Sequence, residues 1–150
     1  KTLPQACGPK KAGKKMMRTK RTNGVRIDVD TCYVAENSVP AMTQYLFGYE
    51  ITITNENPEA VQLLHRHWVI TDALGRMEEV KGPGVIGKQP RLKPGDSFTY
   101  DSFCPLTTPF GSMRGHYKMM RDNGEFFEVA IPLFSLVQNR QEDAPEAPHP

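Results

Sequence analysis

The chain has 150 residues, of which 13 are proline and 12 are glycine, so it has the length of one ordinary domain with many turn residues. Because proline and glycine both interrupt helices, this composition disfavours a helical bundle and favours strands joined by short turns. The formal net charge is only +2, and no apolar run approaches the roughly 20 residues that a membrane-spanning helix needs.

Charge is distributed unevenly along the chain. Residues 1–26 contain nine basic and no acidic residues, residues 27–137 contain nine basic and fourteen acidic residues, and residues 138–150 contain one basic and three acidic residues. We predict a basic N-terminal tail, a folded domain and an acidic tail rich in proline and alanine, with these boundaries. Neither tail has enough apolar side chains to offset the entropy of ordering, so we expect both to be disordered on their own.

The three cysteines, Cys7, Cys32 and Cys104, are an odd number at wide spacing. This pattern is not that of a disulfide framework, and no Cys-x-x-Cys pair indicates a zinc site. We therefore expect reduced cysteines in a reducing compartment. No apolar segment follows the basic start of the chain, so no secretory signal is expected.

About seven strands are predicted from alternating apolar and polar residues with turn residues between them. In chain order they are residues 25–34, 45–53, 61–71, 76–81, 97–103, 113–121 and 126–131, with a last apolar run at 133–137. Asn123 and Gly124 predict a hairpin, and Pro132 is expected at a bulge or on an edge strand. No window of twelve residues has helical periodicity, so the predicted fold is an all-β sandwich.

Residues 25–137 resemble the ApaG domain. The motifs that carry the resemblance occur in the family's order: QLLHRHWVIT (62–71), GPGVIGKQP (82–90), PG (94–95), TYDS (99–102), TPFGSMRGHY (108–117) and IPLF (131–134). The resemblance implies an immunoglobulin/fibronectin type III-like β-sandwich. In bacteria the family is linked to cobalt tolerance and magnesium efflux. In eukaryotes the domain is an interaction module of F-box proteins and of a polymerase-associated mitochondrial and nuclear protein. The family has no established catalytic residues, which implies a non-enzymatic protein.

The glycines of residues 82–87 match the spacing of a dinucleotide-binding fingerprint. That fingerprint works between a strand and a helix whose N-terminal amides hold a pyrophosphate, and no helix is predicted here. A loop that presents backbone amides to a phosphate is a second interpretation. The favoured interpretation is that the glycines supply positive φ in a tight connection. The candidate anion-binding residues are Gly82, Gly84, Gly87, Lys81, Lys88 and Arg91.

His65 and His67 lie on one predicted strand and point to the same face about 7 Å apart, and His116 is a third imidazole. Divalent metal binding is one interpretation, but solvent-facing histidines are favoured, and no metal ligand is assigned. Trp68 is expected on the opposite face, in the core. Cys104 lacks a matched histidine–acid pattern, so no catalytic residue and no cofactor is assigned.

The basic segment 1–26 has three interpretations: attachment to nucleic-acid phosphates, the remnant of an organellar transit peptide, or a solvated tail. Phosphate attachment is favoured, without base stacking, since the segment has no aromatic residue. The candidate nucleic-acid contacts are Lys10, Lys11, Lys14, Lys15, Arg18, Lys20 and Arg21.

The sequence therefore predicts a non-enzymatic ApaG-type binding module, a structural component of a large, ribosome-like RNA–protein assembly in an organelle. We expect the tail to bind RNA, the sandwich to bind neighbouring proteins, and the mitochondrial matrix to be the compartment, with the cytoplasm as the alternative. One alternative function is a soluble ApaG protein linked to phosphate, nucleotide or divalent metal. Another is a protein-recognition module of the kind found in F-box proteins.

Overall fold

The computed structural model describes Cys7 and residues 17–138. The described residues form nine strands: β1 Met17–Thr22, β2 Val25–Tyr33, β3 Tyr45–Asn55, β4 Val61–Asp72, β5 Met77–Pro83, β6 Arg91–Leu92, β7 Ser97–Leu106, β8 Phe110–Arg121 and β9 Phe126–Val137. Two short 3₁₀ helices, Ala35–Asn37 and Pro40–Met42, connect β2 to β3. Within these residues no helix is long and apolar enough to cross a membrane.

The strands form two antiparallel sheets. The first sheet has the order β1-β2-β3-β7, and the second has the order β5-β4-β8-β9 with β6 paired to the start of β4. The sheets face each other across one hydrophobic core, which confirms the predicted immunoglobulin/fibronectin type III-like sandwich. Pro132 lies on β9, an edge strand, as predicted.

Alternate residues of the central strands fill the core, as the period of two requires. On β2 and β3, Val25, Ile27, Ile51 and Ile53 are fully buried. Trp68 on β4, predicted to be in the core, is 3% exposed. The second sheet also contributes Val61, Leu63, Met113, Tyr117, Met119, Val129, Ile131, Phe134 and Leu136.

The sandwich begins earlier than the predicted boundary at residue 27. Residues 17–22 of β1 pair with residues 25–30 of β2. They are joined by Asn23 and Gly24, which have φ values of 51° and 79°. An Asn-Gly pair with positive φ at both positions is the preferred two-residue hairpin turn. The last ten residues of the predicted basic tail are therefore part of a β-hairpin.

Cys7 forms a disulfide bond with Cys32 on β2. The prediction of reduced, unpaired cysteines was therefore wrong for this pair. Cys104 is free and buried in the core. The odd number of cysteines gave a misleading signal because one of them serves as a small apolar core residue while the other two form a bond.

The two long sides of the sandwich differ. On one side β1 meets β9: Asn23 Nδ2 donates to the carbonyl oxygen of Glu128 at 2.8 Å, and the amide of Ala130 donates to Thr22 Oγ1 at 3.4 Å. On the other side the edges are β5 and β7, which do not pair with each other. The sandwich is thus closed along β1 and β9 and open along β5 and β7.

Candidate functional site

A cleft of 370 Å³ opens between the sheets on the β5–β7 side. Its volume lies in the range of small-ligand sites, roughly 300–1,000 Å³. We call it the inter-sheet cleft. Its lining residues are Tyr49, Arg66, Trp68, Ile70, Glu78, Val80, Val85, Ile86, Tyr100, Ser102, Phe103, Cys104, Pro105 and Met113.

A bulge in β4 puts a positive charge into this cleft. Leu63 pairs with Met119, but His65 pairs with Lys118, so Leu64 is an extra residue in the strand. Upstream of the bulge Leu63 is buried, and downstream Arg66 lies on the same face as Trp68 and lines the cleft with it. Bulges re-aim side chains in this way, and they are frequent next to functional sites.

The guanidinium of Arg66 is held in a fixed orientation. Its Nη1 atom donates to the carbonyl oxygens of Pro83 and Gly84, both at 3.0 Å. Gly82, the cross-strand partner of Arg66, leaves room for the guanidinium, since a Cβ atom there would lie 2.9 Å from Nη1. Over the described part of the chain, no carboxylate is within ion-pair distance of Arg66.

The tyrosine hydroxyls in and beside this cleft are neutral at physiological pH. Burial is the largest cause that raises the pKa of Tyr100 and Tyr117, whose Oη atoms are 2.6 Å apart. Burial also raises the pKa of Tyr49, and the nearby Arg66 opposes each rise only slightly. The only charged side chains that line the cleft are Arg66 and the exposed Glu78.

Cys104 is not set up as a nucleophile. The side chain is 3% exposed, and burial, with a smaller contribution from Glu78, raises the pKa of its thiol to about 12. The reactive thiolate is therefore almost absent at neutral pH.

The predicted anion-binding loop uses its amides internally. Residues 85–88 form a two-residue turn in which the amides of Val85 and Lys88 donate to each other's carbonyl oxygens, both at 2.9 Å. The amide of Gly84 donates to a carbonyl oxygen of β4 at 2.8 Å. Gly84 and Gly87 have φ values of 62° and 78°, so the glycines supply positive φ, in agreement with the favoured interpretation.

The remaining residues of that set do not converge on one point. Lys81 and Gly82 lie on β5, Lys88 lies at the exposed turn, and Arg91 on β6 forms an ion pair with Asp122 at 2.8 Å. Phosphate binding at this loop stays a prediction. The geometry weighs against it, because three of the amides it needs already have acceptors.

The histidines pair across strands. His67 on β4 is opposite His116 on β8, with ring centroids 5.0 Å apart. The Nε2 atom of His67 is 2.9 Å from Glu79 Oε2, a contact that is the largest cause lowering the pKa of Glu79. His65 and His116 line the same shallow pocket as His67. Among the residues that the structure describes, no group of three or more His, Cys, Asp or Glu side chains could hold a metal ion.

Three of the seven predicted nucleic-acid contacts lie on β1: Arg18, Lys20 and Arg21. Arg21 forms an ion pair with Glu56 at 3.2 Å. Arg18 and Lys20 are exposed, and within residues 17–138 neither has an ion pair. The other four contacts, Lys10, Lys11, Lys14 and Lys15, lie outside the described residues.

Arg66, which lines the cleft, was not among the site residues predicted from the sequence. A signal was present, because Arg66 has the same strand phase as Trp68 and Ile70, and a charged residue on a core face is unusual. The inter-sheet cleft itself could not be predicted, since it depends on which edge strands face each other across the sandwich.

Comparisons with known proteins agree with this fold. The family model described as the ApaG domain matches residues 35–121. Protein ApaG of Mesorhizobium japonicum is 53% identical over 115 residues, which cover 77% of this chain and 88% of that protein. Protein ApaG of Paramagnetospirillum magneticum is 47% identical over 120 residues, which cover 80% of this chain and 92% of that protein.

A solved structure agrees as well. The crystal structure of a putative ApaA protein from Bordetella pertussis matches with a TM-score of 0.76 and 46% identity, covering 78% of this chain and 95% of that one. The family model spans more than half of the chain, and the relatives match over most of their length. The chain is therefore a member of the ApaG domain family.

Proposed function

We propose that this chain is a non-enzymatic binding module that attaches to RNA through its basic N-terminal segment. The observation that carries the proposal is the separation of charge: nine basic and no acidic residues in 1–26, against a net acidic sandwich. A run of cations without acids binds phosphates strongly and without regard to base sequence.

The structure supports this attachment through the two ends of the segment between Cys7 and β1. Cys7 is bonded to Cys32 on β2, and Met17 pairs with Asp30 on the same strand. Cys7 and Met17, which flank residues 8–16 in the sequence, are thus both attached to β2. A chain whose ends are already fixed loses less conformational entropy when it binds. This stretch contains Lys10, Lys11, Lys14 and Lys15.

Not every basic residue contributes equally in this proposal. Arg21 and Arg26 share Glu56 as an ion-pair partner, and Arg26 also pairs with Asp28 at 3.1 Å, so the two carboxylates together offset the two arginines. Arg18 and Lys20 project from an exposed edge strand. We therefore place the RNA contacts on the four lysines of residues 8–16 together with Arg18 and Lys20.

The absence of enzymatic activity is part of the proposal. The Cys104 thiol and the phenols of Tyr100 and Tyr117 are protonated at neutral pH, and burial raises their pKa further, so these groups are poor nucleophiles or bases. In its full form the proposal places the module in a ribosome-like assembly of an organelle, with the sandwich in contact with neighbouring proteins.

Two quadruple variants test the attachment. The first replaces Lys10, Lys11, Lys14 and Lys15 with alanine, and its control replaces Lys81, Lys88, Lys93 and Lys118 with alanine, so both lose four positive charges. We expect the first to weaken binding to a single-stranded RNA oligomer strongly and the control to change it little, as measured by fluorescence anisotropy. Equal losses in both variants would contradict the proposal, since only net charge would then matter.

A further inference from the structure

We propose that the inter-sheet cleft is a second, independent binding site that takes a small monocarboxylate with a flat apolar body. In this site the carboxylate lies on Arg66 and the apolar body lies against Tyr49 and Trp68. The proposal does not depend on RNA binding, because the cleft lies on the β5–β7 side, whereas Cys7 and β1 are attached to β2.

We infer the carboxylate group of the ligand from the hydrogen-bond donors of Arg66 that have no acceptor among the described residues. Nη1 is used by the carbonyl oxygens of Pro83 and Gly84. Nε and Nη2, which share the other edge of the guanidinium, have no acceptor among the described residues. Two parallel N–H groups on one edge match the two oxygens of a carboxylate. The contacts of Nη1 hold the guanidinium in place before a ligand arrives.

We infer the apolar body of the ligand from the aromatic side chains that line the cleft. Tyr49 and Trp68 meet edge to face, with ring centroids 5.6 Å apart, and both line the cleft. Met113 and Val85 are almost fully buried beside them. A cleft of 370 Å³ with mainly apolar walls and one convergent cation is typical of a site for a small amphipathic ligand.

The other groups that line the cleft indicate that the ligand carries a single negative charge. The phenols of Tyr49 and Tyr100 are neutral at physiological pH, as ordinary phenols are, and burial raises their pKa further. Glu78 on β5, in the same sheet as Arg66, is the only acidic side chain among the described residues that line the cleft. Arg66 is the only cation among these lining residues, and Glu78 opposes it, so the cleft lacks a second cation to balance a dianionic phosphate. The site therefore favours a monoanion.

The test uses 2-naphthoate as the probe and the full chain as the protein. Trp68 is the one tryptophan in the sequence, so its indole N–H gives a single NMR signal that reports on the cleft. We expect 2-naphthoate to shift this signal saturably. The uncharged analogue 2-naphthalenemethanol should bind at least about tenfold more weakly, because it lacks the bidentate contact with Arg66.

Two variants separate a binding role of Arg66 from a purely structural one. Arg66→Gln should weaken 2-naphthoate binding by about tenfold or more while leaving the affinity for 2-naphthalenemethanol unchanged. Glu78→Gln, the control, should bind 2-naphthoate as tightly as the natural protein or more tightly. If Arg66→Gln does not fold, the comparison of the two probes on the natural protein still decides the question.

Three results would overturn the proposal. The first is the absence of a saturable shift with 2-naphthoate. The second is equal affinity of the natural protein for 2-naphthoate and 2-naphthalenemethanol, which would make Arg66 only a brace for the loop after β5. The third is tighter binding of 2-naphthyl phosphate than of 2-naphthoate, which would assign the site to phosphates.

Discussion

At the scale of single residues, the polar groups inside the sandwich are matched to one another. Tyr100 and Tyr117 share a buried hydrogen bond between sheets, and Asn55 donates through Nδ2 to the carbonyl oxygens of Glu59 and Leu92 at 2.8 and 3.0 Å. A buried polar group without a partner is costly, so these contacts help to fix how the two sheets meet. Their residue types were visible in the sequence, but their partners come from distant strands and could not be predicted.

The tyrosine pair predicts a loss of stability at high pH. Burial raises the pKa of both phenols in the folded state above the ordinary value of 10.0. Above that value the unfolded chain releases these protons while the folded chain keeps them, so the free energy of unfolding falls as pH rises. We expect the urea midpoint to fall less between about pH 8 and about pH 11 in a Tyr100→Phe/Tyr117→Phe variant than in the natural protein. An equal fall in both proteins would contradict this assignment.

At the scale of elements, local sequence signals predicted most strands but neither β1 nor the two-residue β6. The predicted strand 25–34 closely matches β2, and the predicted strand 61–71 closely matches β4. Apolar and polar residues alternate along these strands because each strand buries one face. In β1 almost every side chain is exposed, so hydrophobic periodicity gives no signal there. The Asn-Gly turn at 23–24 was a usable signal, identical to the one at 123–124 that predicted the β8–β9 hairpin.

Two matched glycine variants test how β1 is held. Gly24 and Gly124 both follow asparagine and have φ values of 79° and 90°. A Cβ atom at Gly24 would overlap the side chain of Asn57, whereas nothing lies within 4 Å of one at Gly124. In both alanine variants the positive φ destabilises the folded state by roughly 1–2 kcal/mol. Only Gly24→Ala also introduces an overlap with the side chain of Asn57.

We expect Gly24→Ala to destabilise the protein more than Gly124→Ala does and to speed hydrogen exchange at the amides of β1 in particular. Hydrogen exchange followed by NMR measures this directly. If the amides of β1 exchanged equally fast in both variants, the close approach of Asn57 to Gly24 would not be what holds the β1–β2 hairpin in place.

At the scale of the whole molecule, a disulfide bond and the β1–β2 strand pairing meet at one end of β2. The disulfide joins Cys7 to Cys32. Two residues before Cys32, the backbone of Asp30 is opposite Met17 of β1 and Glu50 of β3 in the first sheet. Segment charges could be counted from the sequence, which is why the basic segment was found. The disulfide could not be predicted, because which cysteine lies buried depends on the packing of β7. The proposed organellar matrix must be oxidising enough to preserve this disulfide, because strongly reducing compartments disfavour disulfides.

Removal of the disulfide should destabilise the native state. The bond joins residues 25 positions apart, and a loop of that length implies roughly 3 kcal/mol of stabilisation. We expect a Cys7→Ser/Cys32→Ser variant to lose about 2–4 kcal/mol of unfolding free energy in denaturant titrations. The natural protein treated with a reductant should match the variant. If the reductant left the midpoint unchanged although thiol titration showed the bond to be open, the bond would not contribute to stability.

The most direct test of the central claim is the salt dependence of RNA binding by the full, oxidised chain. Each phosphate contact to single-stranded RNA contributes about −0.7 to the slope of log affinity against log salt, so the six proposed contacts predict a slope near about −4. The variant without Lys10, Lys11, Lys14 and Lys15 should then have a slope near about −1.4. Salt-insensitive binding, or no RNA binding at low salt, would contradict attachment through the basic segment.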